Sequence, residues 1–188
     1  MRPDEYPHAR LLAQTVLASP ACVLWCQGMD APELAAAFGA DLASATPMTY
    51  LEVEEEHYEY SVQTVLIGGL GDWTFAVEPN GGAAIDGDLA GRFAAAGTAL
   101  AVFWNGPVQK ELHYARDGRM LAAFHRAARE GIDDLAPEGL IDGLNFSHQP
   151  DDEFKISGLI LGERISGHRL APGWFDERHT RYVISTSI

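Results

Sequence analysis

The sequence predicts an α+β protein, with a mostly antiparallel sheet of about five strands and helices packed before and after it. Three stretches carry that expectation. Residues 64–82 read as two strands joined by a glycine-rich turn and closed by Pro79-Asn80-Gly81-Gly82. Residues 98–105 are apolar on both faces, which marks a central strand. Residues 108–125 read as a second hairpin around Asp117-Gly118.

The first hairpin seeds the core. On its second strand Trp73, Phe75 and Val77 alternate with Thr74, Ala76 and Glu78, as in a half-buried strand. Burying each of the three large side chains contributes roughly 1.5–3 kcal/mol.

Taken in order, residues 9–18 fit a helix that Ser19-Pro20 stops. Residues 21–26 form a short apolar strand or the first turn of a packed segment. Asp30 caps the next helix, with Pro32 in its first turn, Glu33 three residues after the cap and Gly39 at its end. Leu34 and Phe38 make its apolar stripe. Thr49 and Glu52 form a second capping box, which opens an acidic segment. That segment is expected to be helical, although Tyr50, Val53, Tyr58 and Tyr60 also suit a strand. A short helix is expected over 86–96, ended by Gly97.

The register of the second hairpin follows from its apolar residues. A two-residue Asp117-Gly118 turn leaves Met120 and Phe124 facing away from Leu112 and Tyr114. A three-residue loop with Gly118 as a bulge pairs Tyr114 with Met120 and Leu112 with Ala122, and gathers all of them on one face. A slip of one residue flips every side chain, so the bulged register is expected. Residues 127–150 are rich in turns, with a short helix over 138–144. Asp151 to Glu153 cap a helix running to Ser166, in which Phe154, Leu161 and Ile165 share a face and Gly158 permits close approach. Trp174 and Phe175 are expected on the core, and the β-prone tail at a sheet edge. The chain reads as one domain over 1–188, with its core at about 21–176 and the tail at 177–188.

Composition narrows the function classes. A net charge of −14 argues against nucleic acid and anionic membrane surfaces and permits a basic protein partner. No apolar run is long enough to span a bilayer, and MRPDEYPHAR lacks the character of a signal peptide, so a cytoplasmic location is expected. An open sheet edge leaves room for a homodimer. Cys22 and Cys26 have neither redox nor zinc spacing and are expected as buried free thiols. No metal and no cofactor is expected.

The search for chemistry finds two candidate regions. No nucleophile elbow exists, none of the seven histidines makes a metal-binding pair, and Gly68-Gly69-Leu70-Gly71 fits a hairpin turn better than a phosphate cradle. The first region assumes a parallel crossover between the strand ending at Glu78 and the strand ending at Asn105. Glu78, Asn80, Trp104 and Asn105 then meet at one sheet edge, where ligands bind. The alternative makes Asn80 and Asn105 turn residues, Glu78 solvated and Trp104 core. The second region is the acidic segment, where Glu52, Glu54, Glu55, Glu56 and Glu59 form either a partner-binding face or a solvated helix face. Lys110, Arg116 and Arg119 concentrate positive charge on the second hairpin.

Four segments follow one another in a fixed order. They are CVLWCQGMDAPELAAAFGAD, GDWTFAVEPNG, LAVFWN with the YARDGR hairpin after it, and LILGERISGHRLAPGWFD. Together they resemble an uncharacterised single-domain family, a domain of unknown function, from high-GC Gram-positive bacteria. The likeness covers about residues 21–176, and WTFAVEPNG and GERISGHRLAPGWFD are its specific parts. Gly106-Pro107 and the β-prone tail depart from the pattern. The resemblance implies an intact domain and supplies no activity, cofactor or catalytic residue. The function expected is a non-catalytic, cytoplasmic protein-interaction domain, immunity-like or regulatory. A small-ligand binding domain using the strand-end cluster and an enzyme of another class are the alternatives.

Overall fold

The middle strand of the sheet is β1 (Ala21–Gln27), and every residue from Ala21 to Cys26 is buried. The computed structural model describes residues 5–106, 109–125, 128–130, 135, 138–146 and 151–184. The other strands are β2 (Ala40–Met48), β3 (Thr64–Leu70), β4 (Trp73–Pro79), β5 (Thr98–Asn105), β6 (Gln109–Arg116), β7 (Arg119–His125), β8 (Ala128–Glu130) and β9 (His179–Ile184). Among the described residues they make one antiparallel nine-stranded sheet in the order β2-β9-β3-β4-β1-β5-β6-β7-β8. The expected α+β class and antiparallel pairing hold. The count of about five strands is too low, because β1, β2, β8 and β9 join the strands between Thr64 and His125.

Among the described residues six α-helices cover both faces: α1 (Glu5–Gln14), α2 (Ala31–Ala37), α3 (Tyr50–Tyr60), α4 (Leu89–Phe93), α5 (Asp151–Ser166) and α6 (Pro172–Asp176). Val23, Trp25, Phe75, Val77, Val102 and Trp104 share one core with side chains of α1, α3, α5 and α6. Cys22, Leu24, Cys26, Ala76 and Ala101 share a second core with Leu34 of α2, with Phe38 at its C-terminal end and with Leu89 and Phe93 of α4. A sheet covered on both faces corrects the half-buried reading of β4. Ala76 and Glu78 are buried as fully as Phe75 and Val77.

The local signals for helices hold closely. Asp30 with Glu33, and Thr49 with Glu52, both form reciprocal capping boxes. Helix α4 is shorter than expected and starts from Asp88, whose side chain accepts from Gly91 N. Helix α5 lies directly on the sheet. A Cβ on Gly158 would sit 2.7 Å from Val102, and one on Gly162 would sit 2.4 Å from the Trp25 ring. Residues 139–143 form turns rather than a helix, and 147–150 lie outside the described residues.

The β6–β7 hairpin is bulged, but not where expected. Arg116 pairs with Arg119 across Asp117 and Gly118, which take φ of 49° and 72° as a two-residue primed turn requires. The extra residue is Leu121, between the Ala115–Met120 and Tyr114–Ala122 pairs. Leu112, Tyr114, Ala122 and Phe124 reach one core as expected, while Met120 is exposed. The apolar pattern demanded a bulge, and Asp-Gly held the tight turn, so the bulge moved one step up the strand.

The tail is also corrected. Strand β9 is not at an edge but runs between β2 and β3. Residues 185–188 lie outside the described residues. The edge on this side is β2, which has no apolar alternation, carries Pro47, and shifts register between Asp41 and Thr46.

Candidate functional site

Strands β4 and β5 both pair antiparallel with β1, so they run parallel to each other with β1 between them. They end where β1 begins, with Ala21 opposite both Pro79 and Trp104. The crossover needed for the strand-end cluster is therefore present, but the pleat divides its members. Glu78 and Phe103 flank Cys22, on the face of α2 and α4. Trp104 lies on the opposite face, wholly buried, and its Nε1 donates to Leu17 O and Ser19 O at 3.1 and 2.8 Å. It pins the Val16–Ala18 turn and forms no wall of a ligand site. Asn105 is exposed at its strand end. Asn80 takes a φ of 50°, its N–H donates to Pro20 O, and its side-chain amide donates to the Tyr58 hydroxyl at 3.3 Å.

Glu78 is neither solvated nor open. It is 2% exposed, and its two oxygens accept from Ala83 N and Ala84 N at 2.7 and 2.9 Å. These N–H groups lie in the turn where Gly82 O accepts from Ile85 and Asp86, so the carboxylate serves as a cap for it. Arg92 ties the same loop from outside, donating to Ala83 O, Asp86 O and Ala37 O. Burial raises the Glu78 carboxyl to about 7 against the opposing pull of the two backbone donors, the Cys22 thiol and Arg92. The same burial, with Glu78 beside it, holds the Cys22 thiol far above its ordinary range. Both cysteines are free, and Cys26 Sγ donates to Phe93 O.

The acidic segment is helix α3, and its carboxylates have different fates. Glu52 binds Arg178 and Glu56 binds Arg181, each at 2.6 Å. Arg181 is itself buried and also donates to Ser44 O, so it joins α3, β2 and β9. Backbone donation from Thr49, followed by Arg178, lowers the Glu52 carboxyl. Glu54 is buried, and that burial raises its carboxyl. Glu55 and Glu59 are left in solvent. They share a stripe with Leu51 and Tyr58, at the i, i+4, i+7 and i+8 positions of a helix face. Those two apolar side chains are 55% and 65% exposed.

The opposite end of the sheet holds a cleft of about 620 Å³ that sequence reasoning missed. Its floor is Trp73, Thr98 and Tyr114, all buried, and Arg116, Glu138, Arg164 and Asp72 stand around it. Arg116 Nη2 donates to the Tyr114 hydroxyl and reaches Glu138 Oε2 at 3.4 Å. Arg164 donates to Leu140 O and Asp142 O. At the rim His168 Nε2 lies 2.7 Å from Asp72 Oδ1, a bond that lowers the Asp72 carboxyl. These residues come from separate strands, α5 and a turn, so no spacing in the sequence joins them. The glycines beside the cleft serve packing. Gly71 takes a φ of 65° in the β3–β4 turn, and a Cβ on Gly68 would collide with the His179 ring.

No group of three or more His, Cys, Asp or Glu able to hold a metal occurs among the described residues. No helix among them is long and apolar enough to cross a membrane. No curated protein and no solved structure matches the chain. Residues 13–183 match a family described as a family of unknown function (DUF6461), and the chain belongs to that family.

Proposed function

We propose that the protein is a non-catalytic interaction domain of the cytoplasm, which engages a basic protein partner through the outer face of α3. The observation that carries this reading is the stripe of Leu51, Glu55, Tyr58 and Glu59. Two large apolar side chains stand exposed beside two carboxylates, on a chain of net charge −14. A solvated helix needs the charges but not the Leu and Tyr. A binding face needs both, because apolar area supplies affinity and charge steers approach. Glu52 and Glu56 hold Arg178 and Arg181, so they fix the helix and leave the outer stripe to the partner. A homodimer through the β2 edge is disfavoured, since Pro47 and the register shift interrupt its ladder.

The test places a photo-reactive benzophenone side chain at position 58 and, as control, at the exposed position 120. Each protein is irradiated in native lysate. A single basic species should crosslink at 58 and not at 120. It should fade when Glu55 and Glu59 become Gln and when salt rises, since the Debye length falls to about 3 Å at 1 M. The same species at both positions, or one indifferent to salt and to the Gln substitutions, overturns the reading.

A further inference from the structure

We propose that the sheet-end cleft binds a neutral sugar, a mono- or disaccharide, over a row of polar side chains on β1, β5 and β6. Nothing in this proposal rests on α3. Gln27 pairs with Thr98, and Thr98 with Arg116, so the three side chains lie in one row on one face, about 4.8 Å from strand to strand. One step past the Cys26–Thr74 pair, Trp73 continues the row on β4. Helix α5 roofs this face. A Cβ on Gly158 would meet Val102, and one on Gly162 would meet Trp25, one pair nearer the row. The helix therefore runs toward the row and ends over it, with Ile165 and Ser166 on the cleft. At about 620 Å³ the space between lies within the range of ligand pockets.

Thr98 carries the argument. It is 8% exposed, it lines the cleft, and its hydroxyl has no hydrogen-bond partner among the described residues. A hydroxyl drawn that far out of water is costly unless something bonds to it. Beside it the Gln27 amide is also unbonded among the described residues. Arg116 spends Nη2 on Tyr114 and Glu138 and keeps single donors at Nε and Nη1. The Tyr114 hydroxyl accepts from Arg116, so its own proton still lacks an acceptor there.

These groups decide the class of ligand. The charges around them are already met, Arg116 by Glu138, Asp72 by His168, and Arg164 by the Leu140 and Asp142 carbonyls. What remains is a mixed set. The Gln27 amide and the Thr98 hydroxyl both donate and accept, Arg116 and Tyr114 donate, and the Asp117 carboxylate accepts. An anion can use only the donors, and a cation only the acceptors. Each sugar hydroxyl does both, and brings no uncompensated charge into the cleft. A ring also holds its hydroxyls in fixed directions, at a lower entropy cost than a flexible polyol. Its C–H face fits against Trp73, the apolar end of the row.

The experiment titrates ¹⁵N-labelled full-length protein with glucose, galactose, mannose, N-acetylglucosamine, maltose and trehalose, up to about 50 mM, well above a Kd of about 1 mM. At least one sugar should shift the Trp73 indole, the Gln27 side-chain amide and the Thr98 amide in a saturable way. Glycerol, acetate and methylammonium at the same concentration should not saturate. Thr98→Val keeps the shape and loses the hydroxyl. It should weaken the sugar about tenfold and leave the unfolding midpoint no lower, because the group removed had no partner in the fold. Thr98→Ser should restore most of the affinity. The proposal is overturned if no sugar saturates, if the shifts map outside the cleft, or if glycerol, acetate or methylammonium binds as tightly as the sugar. Equal binding by Thr98→Val also overturns it. Should that variant fail to fold, single-deoxy analogues of the bound sugar on the wild-type protein decide. At least one should bind about tenfold more weakly, and equal binding by all of them overturns the proposal.

Discussion

The two ends of the sheet hold similar residue types and use them in opposite ways. At the end where β4 and β5 finish, Glu78, Trp104 and Arg92 bind backbone groups of neighbouring loops, and Glu78 and Trp104 are buried. At the other end Arg116 and Asp72 stand partly in solvent around a cleft, each held by a single neighbour or two. A charge taken out of water must find partners inside the fold, which leaves none for a ligand. A polar residue at a strand end therefore marks a site only where the end is open.

Both ends hang on one packed sheet, and the largest expected effect tests that support. Gly162→Ala gains roughly 1 kcal/mol of helix propensity. Its Cβ, however, falls 2.4 Å from the buried Trp25 ring, which Phe75 holds edge-on. The expected net result is a loss of about 2–3 kcal/mol in denaturant unfolding. A stabilised variant would show that α5 does not sit so close.

Next comes the arginine that ties α3 to the sheet. Arg181→Met removes the partner of Glu56 and a donor to Ser44 O in a site only partly open to water. A loss of about 1–3 kcal/mol is expected in thermal or denaturant melts. An unchanged midpoint contradicts the role assigned to this pair.

The closed end also has a pH signature. Unfolded, the Glu78 carboxyl titrates at its ordinary 4.5, and folded at about 7. The native state holds that proton more tightly. Its contribution is complete below the lower value and is lost as pH rises through the upper one, by at most about 1.4 kcal/mol per pH unit. Glu78→Gln cannot ionise and lacks this slope. The difference between the two stability curves over that window isolates Glu78 from the histidines, and parallel curves contradict a buried neutral acid.

The smallest effect is expected on the outer face of α3. Glu55→Gln with Glu59→Gln should change stability by less than about 0.5 kcal/mol, since both side chains are exposed. A larger loss would mean that these carboxylates belong to the fold rather than to a binding face.

What could be read from the sequence follows the range of the interactions. Capping boxes at Asp30 and Thr49 and the apolar strand ending at Asn105 are set within a few residues, and each appears where its pattern placed it. The partners of Glu52 and Glu56 lie 126 and 125 residues away, and no local pattern announces them. Strand β2 had no periodicity to detect, being an irregular edge. Trp104 and Glu78 were correctly placed at one edge, but their faces depended on the strand β1 lying between them. The cleft was illegible because Gln27, Thr98, Arg116 and Arg164 meet only once four elements have packed.

The most direct test of the contrast between the ends is one paired measurement, the unfolding free energies of Glu78→Ala and Arg116→Ala against wild type at neutral pH. Glu78→Ala strands the Ala83 and Ala84 N–H groups, and a loss of about 2 kcal/mol or more is expected. Arg116→Ala removes a side chain that is 41% exposed, and the expected change is within about 0.5 kcal/mol. Equal losses, or a tolerated Glu78→Ala beside a destabilising Arg116→Ala, would contradict the division between a structural end and an open one.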